Sequence, residues 1–374
     1  MINKHSIYNW LFFPLLASLL AGSVASCIND PTMEEEDTSG KSTLSIKVRG
    51  VTQEPGTDGY DEYIHTLRII VFDASGLVCN EFYSQTEIET WDVKGESPDT
   101  YYDIIQKLQN FSGGNCRFYF IANEEGYNIS SNNATTLSTF LNNESLTEND
   151  LKACIIASTP DNEDWSNKPI LMIANPSAQY IKPGNDITIE NVELVRCVAK
   201  VQLIVQKDNT TENGIPEADV VTISDVSLHG TRPDSYSLWD TKSHSATNNE
   251  YTHDFTITDE NKSVGYGTEV SPAYTSDIVY FPEKLYQNNT TEEDLYFTFT
   301  LNYTPNGSST TTVRTYTVAI GKDEDNDGTV DDYNIYRNTF YTVTATLQWQ
   351  PTTPTMNIQV DAWNEVEVDV PSFN

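Results

Sequence analysis

The amino-acid sequence predicts a mostly β protein built from β-sandwiches in two successive domains. Three observations carry that expectation. Of 374 residues, 21 are Tyr and many more are Thr or Val, types that suit a pleated, half-buried surface. Only 4 Met occur and Ala/Leu-rich stretches are few, which argues against a helical bundle. Short apolar segments recur between Asn/Thr/Ser/Gly-rich turns at the spacing of sandwich strands.

Charge narrows the classes further. Lys plus Arg number 21 and Asp plus Glu 55, a formal net charge of −34. Such a field repels nucleic acid and anionic lipid, whose binding begins with Lys/Arg neutralising phosphate. With 38% hydrophobic and 11% aromatic residues, the chain is too apolar for a disordered acidic tail.

The elements follow in order. Lys4 precedes an apolar stretch, residues 10–24, too short for a confident membrane span and suited to a signal h-region. It runs into Val24-Ala25-Ser26-Cys27, which resembles a bacterial lipobox. That reading makes 1–26 a lipoprotein signal peptide and Cys27 the lipidated first mature residue; the alternative is an ordinary signal peptide and an incidental Cys. Residues 27–41 form an acidic tether containing Glu34, Glu35, Glu36 and Asp37.

Leu44, Ile46 and Val48 then alternate with Ser45, Lys47 and Arg49, a strand with one apolar face. Residues 63–72 read as a strand ending at a turn over 73–76. The 100–110 segment reads as a helix, with Asp99 as cap and Ile104, Ile105 and Leu108 on one face. Residues 116–122 read as a buried strand and 136–156 as a second helical patch, capped by Thr147. Further strands are expected at 169–174, 187–195, 198–206, 219–229, 277–281, 295–303, 312–320, 339–349, 356–362 and 365–370. The character shifts from mixed to purely β near 190, so the domains are drawn as 42–190 and 191–374.

Chemistry is sparse. Cys79, Cys116, Cys154 and Cys197 show no CxxC pair and no metal-ligand spacing, and they read as buried thiols rather than a defined bridge. His65, His229, His244 and His253 lie in no HExxH pattern, and there is no GxSxG, P-loop or GxGxxG motif. His253-Asp254 reads as a solvated pair in a polar loop. With 55 carboxylates, a chance acidic pair carries no weight as a glycosidase dyad. No enzyme is expected and no cofactor is required. One motif has its own chemistry. Asp323, Asp325 and Asp327 precede Gly328, followed by Thr329 and Asp331, the alternating oxygen pattern of a calcium loop. Position 12 is Asn334 rather than Glu, and the flanks read as strands, so the loop is either a Ca²⁺ site on a hairpin or a solvated acidic turn.

Taken together, STLSIKVRG, IHTLRIIVFDASGLV, YFIANEEG, VELVRCVAKVQLIV, YFPE at 280–283, YRNTFYTVT at 336–344 and a terminal IQVDAW resemble the Bacteroidetes fimbrillin family, the subunits of type V pili. The resemblance runs over nearly the whole chain. It implies two tandem transthyretin-like sandwiches, with the small helical insertions in the first. It implies export as an outer-membrane lipoprotein, anchored only through lipid at Cys27. It also implies trimming of the first strand, polymerisation with other pilus subunits by strand exchange, and adhesion to a surface ligand that the sequence does not specify. A tip or anchor subunit and a surface glycan-binding lipoprotein are the alternatives; Trp165, Trp239 or Trp363 would be the sugar-stacking candidates.

The residues support strand exchange on their own terms. Leu44, Ile46 and Val48 form one apolar comb, and Val366, Val368 and Val370, alternating with Glu365, Glu367 and Asp369, form another at the opposite end. A strand filling a groove supplies main-chain hydrogen bonds and pockets for alternate side chains. Each buried knob is worth roughly 1.5–3 kcal/mol. A head-to-tail contact that does not close gives a filament. Arg49-Gly50 follows the first comb and precedes a Pro/Gly loop, and so is the natural cleavage site for an Arg/Lys-specific protease.

Overall fold

The computed structural model describes residues 42–49, 64–91, 93–94, 101–108, 113–130, 135–158, 169–185, 187–210, 214–239, 247–259, 262–285, 295–321, 332–348 and 355–362. In chain order these give β1 (Ser42–Arg49), β2 (Leu67–Asp73), β3 (Gly76–Tyr83), α1 (Gln85–Ile88), β4 (Val93–Lys94), β5 (Tyr101–Leu108) and β6 (Gly114–Ala122). Next come α2 (Leu137–Leu141), α3 (Glu148–Lys152), β7 (Ile155–Ala157), β8 (Met172–Ala174), β9 (Gln179–Ile181), β10 (Ile187–Glu193) and β11 (Val195–Arg196). The rest is strand: β12 (Val198–Lys207), β13 (Val220–Pro233), β14 (Ser235–Ser237), β15 (Asn248–Asp254), β16 (Tyr274–Thr275), β17 (Val279–Pro282), β18 (Leu295–Thr304), β19 (Thr312–Ala319), β20 (Thr339–Leu347) and β21 (Thr355–Ala362).

The chain is mostly β, as expected, and its sheets stack as sandwiches. One sheet has the order β10-β1-β5-β4 and another β11-β8-β6-β2-β3, with β9 on β6. Between them lies a core of Ile46, Val48, Ile69, Val71, Ile104, Phe118, Phe120, Ile189 and Val192. The second pair of sheets, β16-β12-β20-β21 with β17 on β12, and β15-β13-β18-β19, encloses Val201, Leu203, Val226, Phe297, Phe299, Tyr341 and Val343.

The β6–β2 pair has a second covered face. Ile70, Phe72, Tyr119 and Ile121 point away from the first core into another cluster with Leu137, Leu141 and Leu151 of α2 and α3. That is why β2 is buried at every position and reads as a continuous apolar run rather than an alternating one. Thr136 and Thr147 cap the two helices, each accepting a backbone N–H. Glu148, at the start of α3, accepts from Arg117 Nε (2.8 Å), Tyr119 Oη (2.6 Å) and Lys152 Nζ (2.8 Å), which pins α3 to β6.

Residues 42–196 and 198–362 supply separate sheets, with one exception. β14 leaves the second half and pairs with β7, so that Tyr236 and Leu238 enter the α2/α3 cluster. A buried arginine fixes this crossing. Arg337 donates to Glu283 Oε2 from Nε (3.0 Å) and Nη2 (2.7 Å), and also to the carbonyls of Ser237 (2.7 Å) and Leu238 (2.9 Å). Next to it, Asn338 adopts φ 57°, a left-handed conformation that Asn tolerates, donates from its N–H to Val198 O and accepts from Arg196 N.

Three sequence expectations need correction. Residues 101–108 are strand β5, not a helix. Their pattern fits both periods, and pairing along β1 overrides the helical reading. The 136–156 patch is two short helices followed by β7. His253 and Asp254 lie on edge strand β15, not in a loop, with Asp254 accepting from Ser227 Oγ at 2.7 Å. The sequence reading also omitted β3 and β15, whose mixed residues GLVCNEFY and NNEYTHD are those of edge strands.

Arg337→Met should destabilise the protein by about 3–5 kcal/mol, because it strands the Glu283 carboxylate in the interior. Arg337→Met with Glu283→Leu should regain most of the loss, as read by thermal melting. Burial opposes ionisation of Glu148, but its hydrogen bonds from Arg117, Lys152 and Tyr119 outweigh that and hold its pKa down at about 2. A depressed carboxylate contributes stability above its unfolded value near 4.5 that is lost as pH falls towards 2. The melting temperatures of wild type and Glu148→Gln should therefore converge through that window.

Candidate functional site

The first strand is not an edge. β1 pairs antiparallel with β5 from Ser42↔Leu108 to Val48↔Tyr102, and parallel with β10 from Leu44↔Ile187 to Arg49↔Glu193. Both of its backbone edges are therefore engaged. The β5 side runs without interruption, whereas the β10 side shifts register between Ile46 and Val48, opposite Ile189 and Val192.

Ile46 and Val48 are fully buried. Ile46 lies opposite Ile104 and Ile189, and Val48 opposite Tyr102 and Val192. At the Val48 end, Tyr83, Trp91 and Tyr102 form an edge-to-face series with centroid separations of 5.1 and 5.7 Å. Burial is the leading cause raising the pKa of both tyrosines, to about 12 at Tyr83. Ser45 and Lys47 face the other way and are half-buried. The walls of the slot thus come from β5 and β10. The sequence reading named the strand that occupies the slot but not Tyr102, Ile104, Ile189 and Val192, which line it. The helical reading of 100–110 concealed one wall; the other, ITI at 187–189, carried only an ordinary strand signal.

Arg49 is the last residue of β1. Gly50, Cys27, the second comb Val366, Val368 and Val370, and the calcium-loop residues Asp323, Asp325, Asp327, Thr329 and Asp331 lie outside the described residues. Beyond that loop, Asn334 donates to Asp332 Oδ1 at 2.6 Å, and Tyr341 Oη donates to Asn334 O at 3.0 Å. Among the described residues no cluster of three His, Cys, Asp or Glu could hold a metal, and no helix is long and apolar enough to cross a membrane.

The four described cysteines are free thiols. Burial pushes Cys79 and Cys154 up to about 12, and Cys116 and Cys197 to about 11, so all four stay protonated at neutral pH. Of the aromatics weighed as sugar-stacking groups, Trp239 packs edge-on against Tyr119 at 5.0 Å, and Trp165 and Trp363 lie outside the described residues.

Stacked sandwiches whose first strand fills the middle of a sheet define a mostly β-sandwich protein. Residues 42–259 match the model of the major fimbrial subunit protein (FimA) family, and the chain belongs to that family. It is thus a structural subunit of a cell-surface fimbrium, a class that assembles with other pilus subunits. Among solved structures, it is similar to the tip fimbrial protein Mfa3 from Porphyromonas gingivalis with C-terminal truncation. The two share 16% identity at a TM-score of 0.56, over 86% of this chain and 100% of that one. It is also similar to a putative cell adhesion protein from Parabacteroides distasonis, at 14% identity and a TM-score of 0.50, over 87% of this chain and 99% of that one. No curated protein sequence matches it.

Proposed function

We propose that this chain is exported as a lipoprotein through Cys27, loses its first strand by cleavage at Arg49-Gly50, and polymerises when a neighbour's terminal strand fills the vacated slot. The carrying observation is that β1 is hydrogen-bonded on both sides and buries Ile46 and Val48 completely. A strand in that position cannot leave without exposing two backbone edges and an apolar trench, and an incoming strand with knobs at period 2 repairs both. Val366, Val368 and Val370 are the donor comb for the next subunit. The role is structural rather than catalytic.

Cleavage with an Arg-specific protease should yield Gly50 as the new N-terminus, followed by elongated oligomers on size-exclusion chromatography and in electron micrographs. Intact protein should stay monomeric because β1 occupies its own slot. Val368→Asp should block this assembly while leaving the fold intact, since a carboxylate enters an apolar pocket only at a large desolvation cost. Oligomers of trimmed Val368→Asp as abundant as the parent's would remove these valines from the donor role. Mature protein on cells that retains Cys27 and β1 would make the chain an anchor subunit.

The loop of Asp323, Asp325, Asp327, Thr329 and Asp331 is proposed to hold Ca²⁺. Melting temperature should rise with added Ca²⁺ and fall with chelator, by the equivalent of about 2.7 kcal/mol at a hundredfold excess over Kd. An Asp325→Ala variant that responds to calcium as the parent does would reject the site.

A further inference from the structure

We propose that the slot of β1 is charge-selective: it favours a donor strand with basic side chains on its outward row and disfavours the acidic terminal strand of a second copy of this chain. A second copy still fills the slot at the high concentration of purified protein, but the preferred partner is a different subunit whose donor strand is basic at those positions. The inference rests on the strand-exchange reading above and adds to it the chemistry of the partner.

The argument lies in the register. Ile46 and Val48 face the core and Ser45 and Lys47 the other way, and by the strand period position 49 belongs to the same row as 45 and 47. Lys47 lies opposite Asp103 of β5, and Arg49 opposite Glu193 of β10. The register shift beside Lys47 falls in the part of β10 that holds Glu190 and Asn191. In the backbone register, acidic positions of the walls therefore stand opposite basic positions of β1. The one base on these walls, Lys107, lies at the other end, opposite Thr43.

The chain's own terminal comb has the opposite charge pattern. Glu365, Glu367 and Asp369 alternate with Val366, Val368 and Val370. If the valines take the inward pockets, the acids must take the outward row, where Ser45, Lys47 and Arg49 now sit. Running opposite to β1, the comb puts Asp369, Glu367 and Glu365 in place of Ser45, Lys47 and Arg49; running with β1, it puts Glu367, Asp369 and Pro371 there. In either sense the attraction at position 47 becomes a repulsion, and in the opposite sense so does the one at 49; like charges directly opposite one another destabilise a strand pair. The net charge of −34 on each copy adds to the same penalty.

Three synthetic peptides offered to the trimmed protein test this by fluorescence anisotropy: residues 42–50, the same peptide with Lys47→Glu and Arg49→Glu, and residues 364–371. At low salt the parent peptide should bind tightest and the other two roughly tenfold more weakly. High salt should narrow the gap, because screening removes exposed pair interactions first. Trimmed protein carrying Asp103→Lys and Glu193→Lys should reverse the order. Equal binding of the parent and charge-reversed peptides at low salt would overturn the charge selectivity and leave strand exchange standing. Failure of every peptide, the parent included, would overturn strand exchange and the selectivity with it.

Discussion

The first sandwich depends on a strand that is contiguous with little else in the chain. β1 sits in the interior of a four-stranded sheet, between a parallel neighbour more than 130 residues later and an antiparallel one more than 50 residues later. Its hydrogen bonds join β5 to β10, which have no other contact in that sheet. Its buried knobs fill the space beneath Ile104, Ile189 and Val192. The proposed exchange fits an interior strand whose two sheet neighbours both come from later in the chain.

The short motifs that mark the chain along its length are the polar joints of the cores. IHTLR and YFIANEEG meet at Arg68 and Glu124, a bidentate pair with both bonds at 2.7 Å and both side chains buried. Asn80 and Asn142 accept from two further guanidinium N–H groups, and Ser138 donates to Glu124, which ties α2 to the sheet. Asn123, left-handed at φ 62°, accepts from the N–H groups of His65 and Thr66 and donates to Ile170 O. YFPE and YRNTFYTVT meet in the same way at Glu283 and Arg337. A buried ion pair adds little net stability, but losing either partner is costly. Such pairs therefore fix which segments meet more than they raise the total stability.

What was legible in the sequence follows from these physics. Strands with one wet face announced themselves by alternation, as in Leu44-Ile46-Val48 and Leu295-Phe297-Phe299. Strand β2, covered on both faces, announced itself as an unbroken apolar run. Segment 101–108 was misread because YYDIIQKL places Ile104, Ile105 and Leu108 on a helical face as readily as it places Tyr102 and Ile104 on a strand face. Only the partner strand decides between the two, and that partner is far away in sequence. Edge strands β3 and β15 carry mixed polar residues with no period to detect. The occupant of the slot was legible because its comb is local; the walls were not, because they become walls only when β1 lies between them.

The β6–β2 sheet is not held from one side alone. One of its faces meets β1 through Ile46 and Val48, and the other packs on α2, α3 and the 236–239 segment with no contribution from β1. The second cluster, the Arg68–Glu124 pair and the Arg337 clamp are built from residues outside β1. The clamp has a further consequence. Tension entering through a strand in the slot reaches β6 and β2 through side-chain packing, and passes to the second sandwich through β14, which is held by β7 on one side and Arg337 on the other. Both handovers act through many weak contacts loaded together, and Arg337, paired with Glu283, holds β14 to its own half of the chain. In the proposed exchange the strand that leaves belongs to the first core and the Arg337 clamp to the second half, so the first joint opens without drawing on the residues of the second.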